Sequence, residues 1–263
     1  MGQPLDGRLH STHDTILAYL KSNVFMPTSF PRYFPAPHLA GSEGFLGYDP
    51  RLSTPRLLDA YRHGIFPWPW LEGDHWHVGW FSPDPRAILP LTELHIPARL
   101  HRKLKHGRFL FTWNHRFETV LSNCATASGR SEHGTWLSDT LQTAVLKLHR
   151  LGHAHSIEVY DAHDPSTVCG GAYGITTGGA TFSAESMFHT VSDASKAAVI
   201  ALVKLLNRCG YRLLDVQQAS PHIERLGGTE ISRNDYLRLL SEANNIVPRR
   251  IECQDTALRF DGI

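Results

Sequence analysis

Asp215 and Gln217, which close the apolar stretch Leu213-Leu214-Asp215-Val216-Gln217, are the pair best spaced for chemistry. At i and i+2 of a strand they share one face and can reach a single substrate group. A strand leaving the core for solvent would carry the same pattern. Glu185 sits among Phe182, Ala184, Met187 and Phe188. A carboxylate in such company needs a partner, either an ion pair or a bound cation. The apolar residues beside it are either core or the wall of a ligand cavity. No Ser, Cys or Lys occupies a nucleophile's setting, so direct attack between two bound substrates is expected, without a covalent enzyme intermediate.

Two tryptophans add a second kind of chemistry. Gly64-Ile65-Phe66-Pro67-Trp68 follows a helix end, which places Trp68 in a proline-stiffened loop, and Gly134-Thr135-Trp136 is a second loop just before a helix. Two such rings can sandwich a purine at about 1 to 3 kcal/mol per stacked base; each ring alone reads equally as core. Arg99, Arg102, Lys103, Lys105 and Arg108, with His101 and His106, form the densest positive run. It is either a solvated face or a salt-sensitive grip on phosphates. His149, His153, His155 and Glu158 invite a metal reading, but Gly152 breaks the helix before His153 and no second cluster completes a shell. No metal is expected. The chain lacks a P-loop, a GxGxxG turn and the Gln/Arg-x-x-Gly-x-Gly loop that holds coenzyme A, so no cofactor is expected.

These groups need a folded frame. A chain of 263 residues with 41% hydrophobic content can bury a substantial core, as one large domain or one large plus one small. A formal charge of +1 with 19% charged residues makes any nucleic-acid surface a local patch. Cys124, Cys169, Cys209 and Cys253 form no CxxC pair and read as buried thiols of a reducing compartment. Met1 to Asp14 has no apolar signal core, and no run approaches the roughly 20 apolar residues that span a bilayer. A cytoplasmic protein without membrane contact is expected.

Residues 1–90 read as an N-terminal extension, amphipathic at Thr15–Leu20, followed by a small loop-rich domain. That domain holds one helix, from about Thr54 to His63, capped by Ser53 or Thr54 and ended by Gly64. Residues 91–263 alternate helix and strand. A helix Ser138–Leu151 stops at Gly152, and a strand Ala154–Tyr160 follows. Strands Cys169–Ile175 and Ala180–Ser183 flank the turn Thr176-Thr177-Gly178-Gly179. A long helix begins at Ser192 or Asp193, buries Val199, Ile200, Leu202, Val203, Leu205 and Leu206, and ends at Gly210. Tyr211–Val216 returns as a strand, which makes the class α+β.

In order and spacing these stretches are similar to the leucyl/phenylalanyl-tRNA–protein transferase family. The matching segments run from about Gly44 to Tyr236 and include Leu57 to Trp68, Trp80-Phe81-Ser82-Pro83-Asp84-Pro85-Arg86, Gly134-Thr135-Trp136, Leu151 to Val159, Gly170-Gly171-Ala172-Tyr173-Gly174, Glu185-Ser186-Met187-Phe188, Ala194-Ser195-Lys196 and Asp215-Val216-Gln217. The resemblance implies an acetyltransferase-like (GNAT-like) mixed-sheet domain preceded by a small N-terminal domain. It implies transfer of leucine or phenylalanine, with methionine as a further cargo, from aminoacyl-tRNA to the α-amine of proteins beginning with Arg or Lys, marking them for degradation. By that similarity Trp68 and Trp136 hold the terminal adenosine, and Phe182, Met187 and Phe188 form the side-chain pocket. Arg99, Arg102, Lys103 and Lys105 meet the acceptor stem, and Glu185 positions the reactants. Gln217, oriented by Asp215, contacts the attacking amine while Asp215 stabilises its developing charge. The chain is expected to act as a monomer.

The chain departs from the family at Asp49-Pro50-Arg51, Pro97-Ala98, Ala184, Asp193 and Ser220-Pro221-His222. Ser220 and Pro221 lie beside the proposed reaction centre, which opens altered acceptor choice as an alternative. A non-catalytic binder of aminoacyl-tRNA or of N-termini, and a coenzyme A-dependent acyltransferase of the same fold, are the others.

Overall fold

The computed structural model describes residues 29–126, 136–251 and 258–262. Thr15–Leu20, Gly134-Thr135 and Cys253 lie outside the described residues. A small sheet comes first, from β1 (Phe45–Tyr48), α1 (Thr54–Arg62), β2 (Phe66–Glu72) and β3 (His75–Phe81), its antiparallel strands ordered β1-β3-β2. Ser53 precedes α1 and Pro55 stands in its first turn, where a missing N–H costs nothing. Gly64 ends the turn with φ +75, and a Cβ there would meet the Tyr236 ring at 2.7 Å.

Trp68 is in a strand, not the loop read from the prolines. Pro67 and Pro69 face inward and are buried, opposite Trp80 and Val78, while Trp68 and Trp70 face outward. The alternation of period two prevails because β2 is an edge strand, where a residue without an N–H is tolerated.

A second sheet follows: β4 (Arg86–Ile88), α2 (Ala98–Lys105), β5 (Phe109–Trp113), α3 (Phe117–Thr126), α4 (Asp139–Arg150), β6 (Ala154–Asp161), β7 (Asp164–Ile175), β8 (Thr181–His189), α5 (Ala194–Arg208), β9 (Leu213–Gln217), α6 (Pro221–Glu224), β10 (Thr229–Ile231), α7 (Arg233–Asn244) and β11 (Leu258–Arg259). Its eight strands run in the order β10-β4-β9-β8-β7-β6-β5-β11, a mixed sheet. Its first strand, β4, comes from before residue 91.

The β7–β8 hairpin closes through residues 176–180. The second strand of that hairpin does not stop at Ser183 but continues to His189, carrying Glu185 to Phe188 with it. α4 is capped by Ser138, whose Oγ accepts the Leu141 N–H at 3.3 Å. α5 buries Val199, Ile200, Leu202, Val203 and Leu206, while Leu205 is half-buried. Asp193 sits at the N-cap of α5 at φ 73 without capping it. Its carboxylate accepts instead from Lys103 at 2.6 Å and Lys196 at 3.3 Å.

α2 and α5 cover one face of the large sheet. On the other face Leu57, Phe66, Val78 and Trp80 of the small unit share a core with Val120, Leu141, Val145 and Tyr173. No helix among the described residues is long and apolar enough to cross a membrane. Cys124 and Cys169 are buried and Cys209 is half-buried.

Candidate active site

β8 and β9 are parallel neighbours over only three pairs, Thr181↔Leu213, Phe182↔Leu214 and Ser183↔Asp215. Beyond Ser183 and Asp215 the ladder stops. The split holds a pocket of about 160 Å³, walled by Ala184, Met187, Val199, Leu202, Val216 and Ile223, with Glu185 and Gln217 also lining it. Of the three apolar residues singled out in the sequence, Met187 alone faces this pocket. Phe182 is core against Trp113, and Phe188 belongs to the core on the other face.

Asp215 is fully buried and held from several sides. Arg86 grips it in a bidentate pair, Nε to Oδ1 at 2.8 Å and Nη2 to Oδ2 at 2.7 Å. The Tyr236 hydroxyl donates to Oδ2 at 3.0 Å, and Ser183 Oγ reaches the same oxygen at 3.4 Å. Arg86 is itself fully buried, donates to Gly64 O at 3.0 Å and lies between the rings of Phe66 and Tyr236. Burial opposes its charge, but Asp215 more than offsets this, so its pKa is raised. Burial also pushes the Tyr236 hydroxyl well up, which keeps it a donor.

Gln217 takes φ 59, a left-handed conformation rare for a side chain of this size. Its own N–H donates to Asp215 Oδ1 at 3.0 Å, and this anchors the kink. The kink turns its carboxamide toward β8, where Nε2 donates to Glu185 Oε1 at 2.9 Å. Tyr61 of α1 is a further hydrogen-bond partner of Glu185. The carboxylate that the sequence reading gave to an ion pair or a cation is thus held by neutral donors. Burial drives its pKa from 4.5 to about 8; the nearby Asp215 charge adds to this, while Tyr61, Arg86 and Gln217 oppose it.

Glu185 is therefore protonated in the folded protein well above the pH at which the unfolded chain ionises it. Its contribution to stability is full below its ordinary value of 4.5 and is lost as pH rises to about 8. Glu185→Gln removes that loss. Urea midpoints across this range are expected to favour the variant progressively, by up to about 1.4 kcal/mol per pH unit. A parallel pH dependence in both proteins would contradict the assignment.

Trp68 and Trp136 stack on each other, centroids 5.7 Å apart and planes inclined by 12°. A base between two rings needs about 7 Å, two stacking distances. The pair is closed here and would have to part to admit a purine. In the basic run, Lys103 pairs with Asp193 and Arg108 with Asp161. Arg99, Arg102 and Lys105 are exposed on α2.

The histidines are engaged elsewhere. His149 stacks on Phe117 at 3.9 Å, and its Nδ1 contacts Ala154 O at 2.8 Å. His155 stacks on Trp113, meets Asn114 at 2.8 Å through Nδ1 and is hydrogen-bonded to Gly152. Burial, with help from His149, lowers its pKa to about 4. Glu158 accepts from Thr112, Ser156 and the His115 N–H.

Arg86, Tyr236 and Tyr61 were not singled out in the sequence. A signal existed for the first: an aspartate inside an apolar strand demands a cation, and Arg86 ends the Ser82-Pro83-Asp84-Pro85-Arg86 segment.

Fold and site together define an α+β protein with a buried polar centre at a split in its mixed sheet, opening on an apolar pocket. The profile of the leucyl/phenylalanyl-tRNA protein transferase family matches residues 88–241, and that of its N-terminal domain matches residues 51–84. A leucyl/phenylalanyl-tRNA–protein transferase of Oleidesulfovibrio alaskensis is 44% identical over 212 residues, covering 80% of this chain and 84% of that protein. One of Shewanella pealeana is 43% identical over 210 residues, covering 79% of this chain and 86% of its own. The chain belongs to the leucyl/phenylalanyl-tRNA–protein transferase family. Among solved structures, L-PGS from Bacillus licheniformis aligns over 64% of this chain and 52% of its own, at TM-score 0.38 and 11% identity, a likeness too distant to bear on the fold.

Proposed function

We propose that this protein moves leucine or phenylalanine from aminoacyl-tRNA to the α-amine of proteins beginning with Arg or Lys, as a cytoplasmic monomer with an acetyltransferase-like catalytic domain. The observation that carries the reading is the Glu185–Gln217 pair, braced by Asp215, at the mouth of an apolar pocket. The cargo side chain enters the pocket beside Met187, and the terminal adenosine parts Trp68 from Trp136. Arg99, Arg102, Lys103 and Lys105 grip the acceptor stem, and Phe182 and Phe188 support the pocket from the core.

The amine nitrogen attacks the ester carbonyl carbon, the bond to the ribose oxygen breaks, and that departing oxygen takes up the amine's proton to become a hydroxyl. With Gln217 Nε2 donating to Glu185, its amide oxygen is the group offered to an incoming N–H. Glu185, at about 8, is matched to an α-amine near 7.7 to 8.0, and it is the ionised fraction of Glu185 that accepts the amine's proton in transit. Asp215 has its oxygens taken up by Arg86, Tyr236 and Gln217, so it acts by fixing Gln217 in place. Positioning supplies most of the acceleration, because aminolysis of an activated ester is already downhill.

Acceptor choice is where a second reading has support. Ser220 lines the pocket, where its hydroxyl accepts the Ile223 N–H at 3.3 Å to cap α6 and keeps its own O–H to offer to an acceptor. The test is transfer of labelled leucine, phenylalanine and methionine from tRNA to peptides differing only in their first residue. Transfer confined to Arg and Lys peptides is expected. Transfer to another set establishes the altered acceptor, and none at all, or acetyl-coenzyme A binding by calorimetry, overturns the reading.

A further inference from the structure

We infer that the outward face of the small sheet is a stacking platform for the unpaired nucleotides preceding the terminal adenosine; this rests on the adenosine role proposed for Trp68 and Trp136. The strand alternation that buries Pro67 and Pro69 sends Trp68 and Trp70 out on one face. On this face Phe66 is 4% exposed, Trp68 39% and Tyr48 of β1 68%, while Trp70 is half-buried. The rings form a continuous surface. Trp70 lies 5.5 Å from Tyr48 and stacks on His77 at 5.4 Å, and Tyr48 continues to Phe45 at 4.6 Å. Gly79 stands opposite both Trp68 and Tyr48, and its lack of a side chain lets the Phe81 and Trp70 rings lie down over the sheet. A Cβ there would strike the Phe81 ring at 2.6 Å and come within 3.1 Å of the Trp70 ring.

An exposed apolar face of this kind marks an interaction site, and three features select nucleotides as its occupant. The face is continuous with the Trp68–Trp136 pair. Rings two residues apart on a strand are about 7 Å apart, which offers one ring to each unstacked base. Stacking also needs no sequence reading, since every base has a π-face. Glu72, paired with His77, and Asp74 lie at the hairpin tip and repel phosphates, so the platform ends there and holds one or two bases. Because the grip is through rings, it adds little to the salt dependence of binding.

The test compares full aminoacyl-tRNA with aminoacyl-adenosine, which lacks the preceding nucleotides, for Trp70→Ala, Trp70→Phe and Tyr48→Ala. For the two alanine variants KM for aminoacyl-tRNA is expected to rise roughly 5- to 100-fold. Trp70→Phe should stay near wild type, and KM for aminoacyl-adenosine should be unchanged throughout, which also reports an intact fold. A KM that rises equally for both substrates, or for neither, overturns the proposal; in the second case sedimentation would ask whether the face joins two copies of the chain. Trp68→Ala tests the reading beneath it: if that variant leaves KM for aminoacyl-adenosine unmoved, the adenosine role itself fails.

Discussion

Asp215→Asn is expected to abolish single-turnover transfer and to lower stability by about 3 to 5 kcal/mol, because it leaves the buried Arg86 guanidinium without its counter-charge. An amide can accept one of the two Arg86 bonds but must present N–H to the other. The Gln217 kink loses its anchor in the same step. Fold and chemistry can be separated with the double variant Arg86→Met, Asp215→Leu, which removes both charges. It should recover most of the stability while transfer stays lost. Urea unfolding and a single-turnover assay of leucine transfer read the two effects, and full transfer by Asp215→Asn would end the positioning role.

Gln217 yields the second large effect, on the rate of transfer. A left-handed glutamine stores strain that glycine does not feel. Gln217→Gly should be about 1 kcal/mol more stable than Gln217→Ala, which keeps the φ but loses the carboxamide. Both variants should transfer at least about 100-fold more slowly, with KM for aminoacyl-tRNA near that of wild type, since the carboxamide acts on the attacking amine and not on the donor. If Gln217→Gly transferred at the wild-type rate, the strain would have no catalytic purpose.

Where one period dominated, the sequence was easy to read. α5 carries its apolar stripe between Asp193 and Gly210, and Thr176 to Gly179 lie in the β7–β8 connection as their turn chemistry indicates. Trp68 reads as a loop residue because Pro67 follows a helix end, although the alternation Phe66, Trp68, Trp70 against Pro67, Pro69 spells an edge strand. From the sequence β8 ends at Ser183, because Glu185 and Ser186 interrupt its apolar run, a polarity that belongs to the pocket rather than to the strand's end. From spacing Asp215 and Gln217 could be placed on one face, but Asp215 is fully buried against Arg86, where its side chain does not reach a substrate. The left-handed kink that turns Gln217 toward Glu185 could not be read from spacing, because it depends on an Asp215 carboxylate already fixed by Arg86 and Tyr236. Those partners lie 129 and 21 residues away, beyond any local pattern.

The core shared by the two sheets has a consequence for how the protein fails. Phe66, Val78 and Trp80 lie in the same apolar cluster as Val120, Val145 and Tyr173, and Arg233 ties α7 to the backbone carbonyls of Ala40, Gly41 and Ser82. Among the described residues no seam is left along which the aromatic face can swing away while the Asp215 cluster stays assembled. Heat or denaturant should take both together, so the working half-life of this enzyme is the lifetime of one cooperative unit.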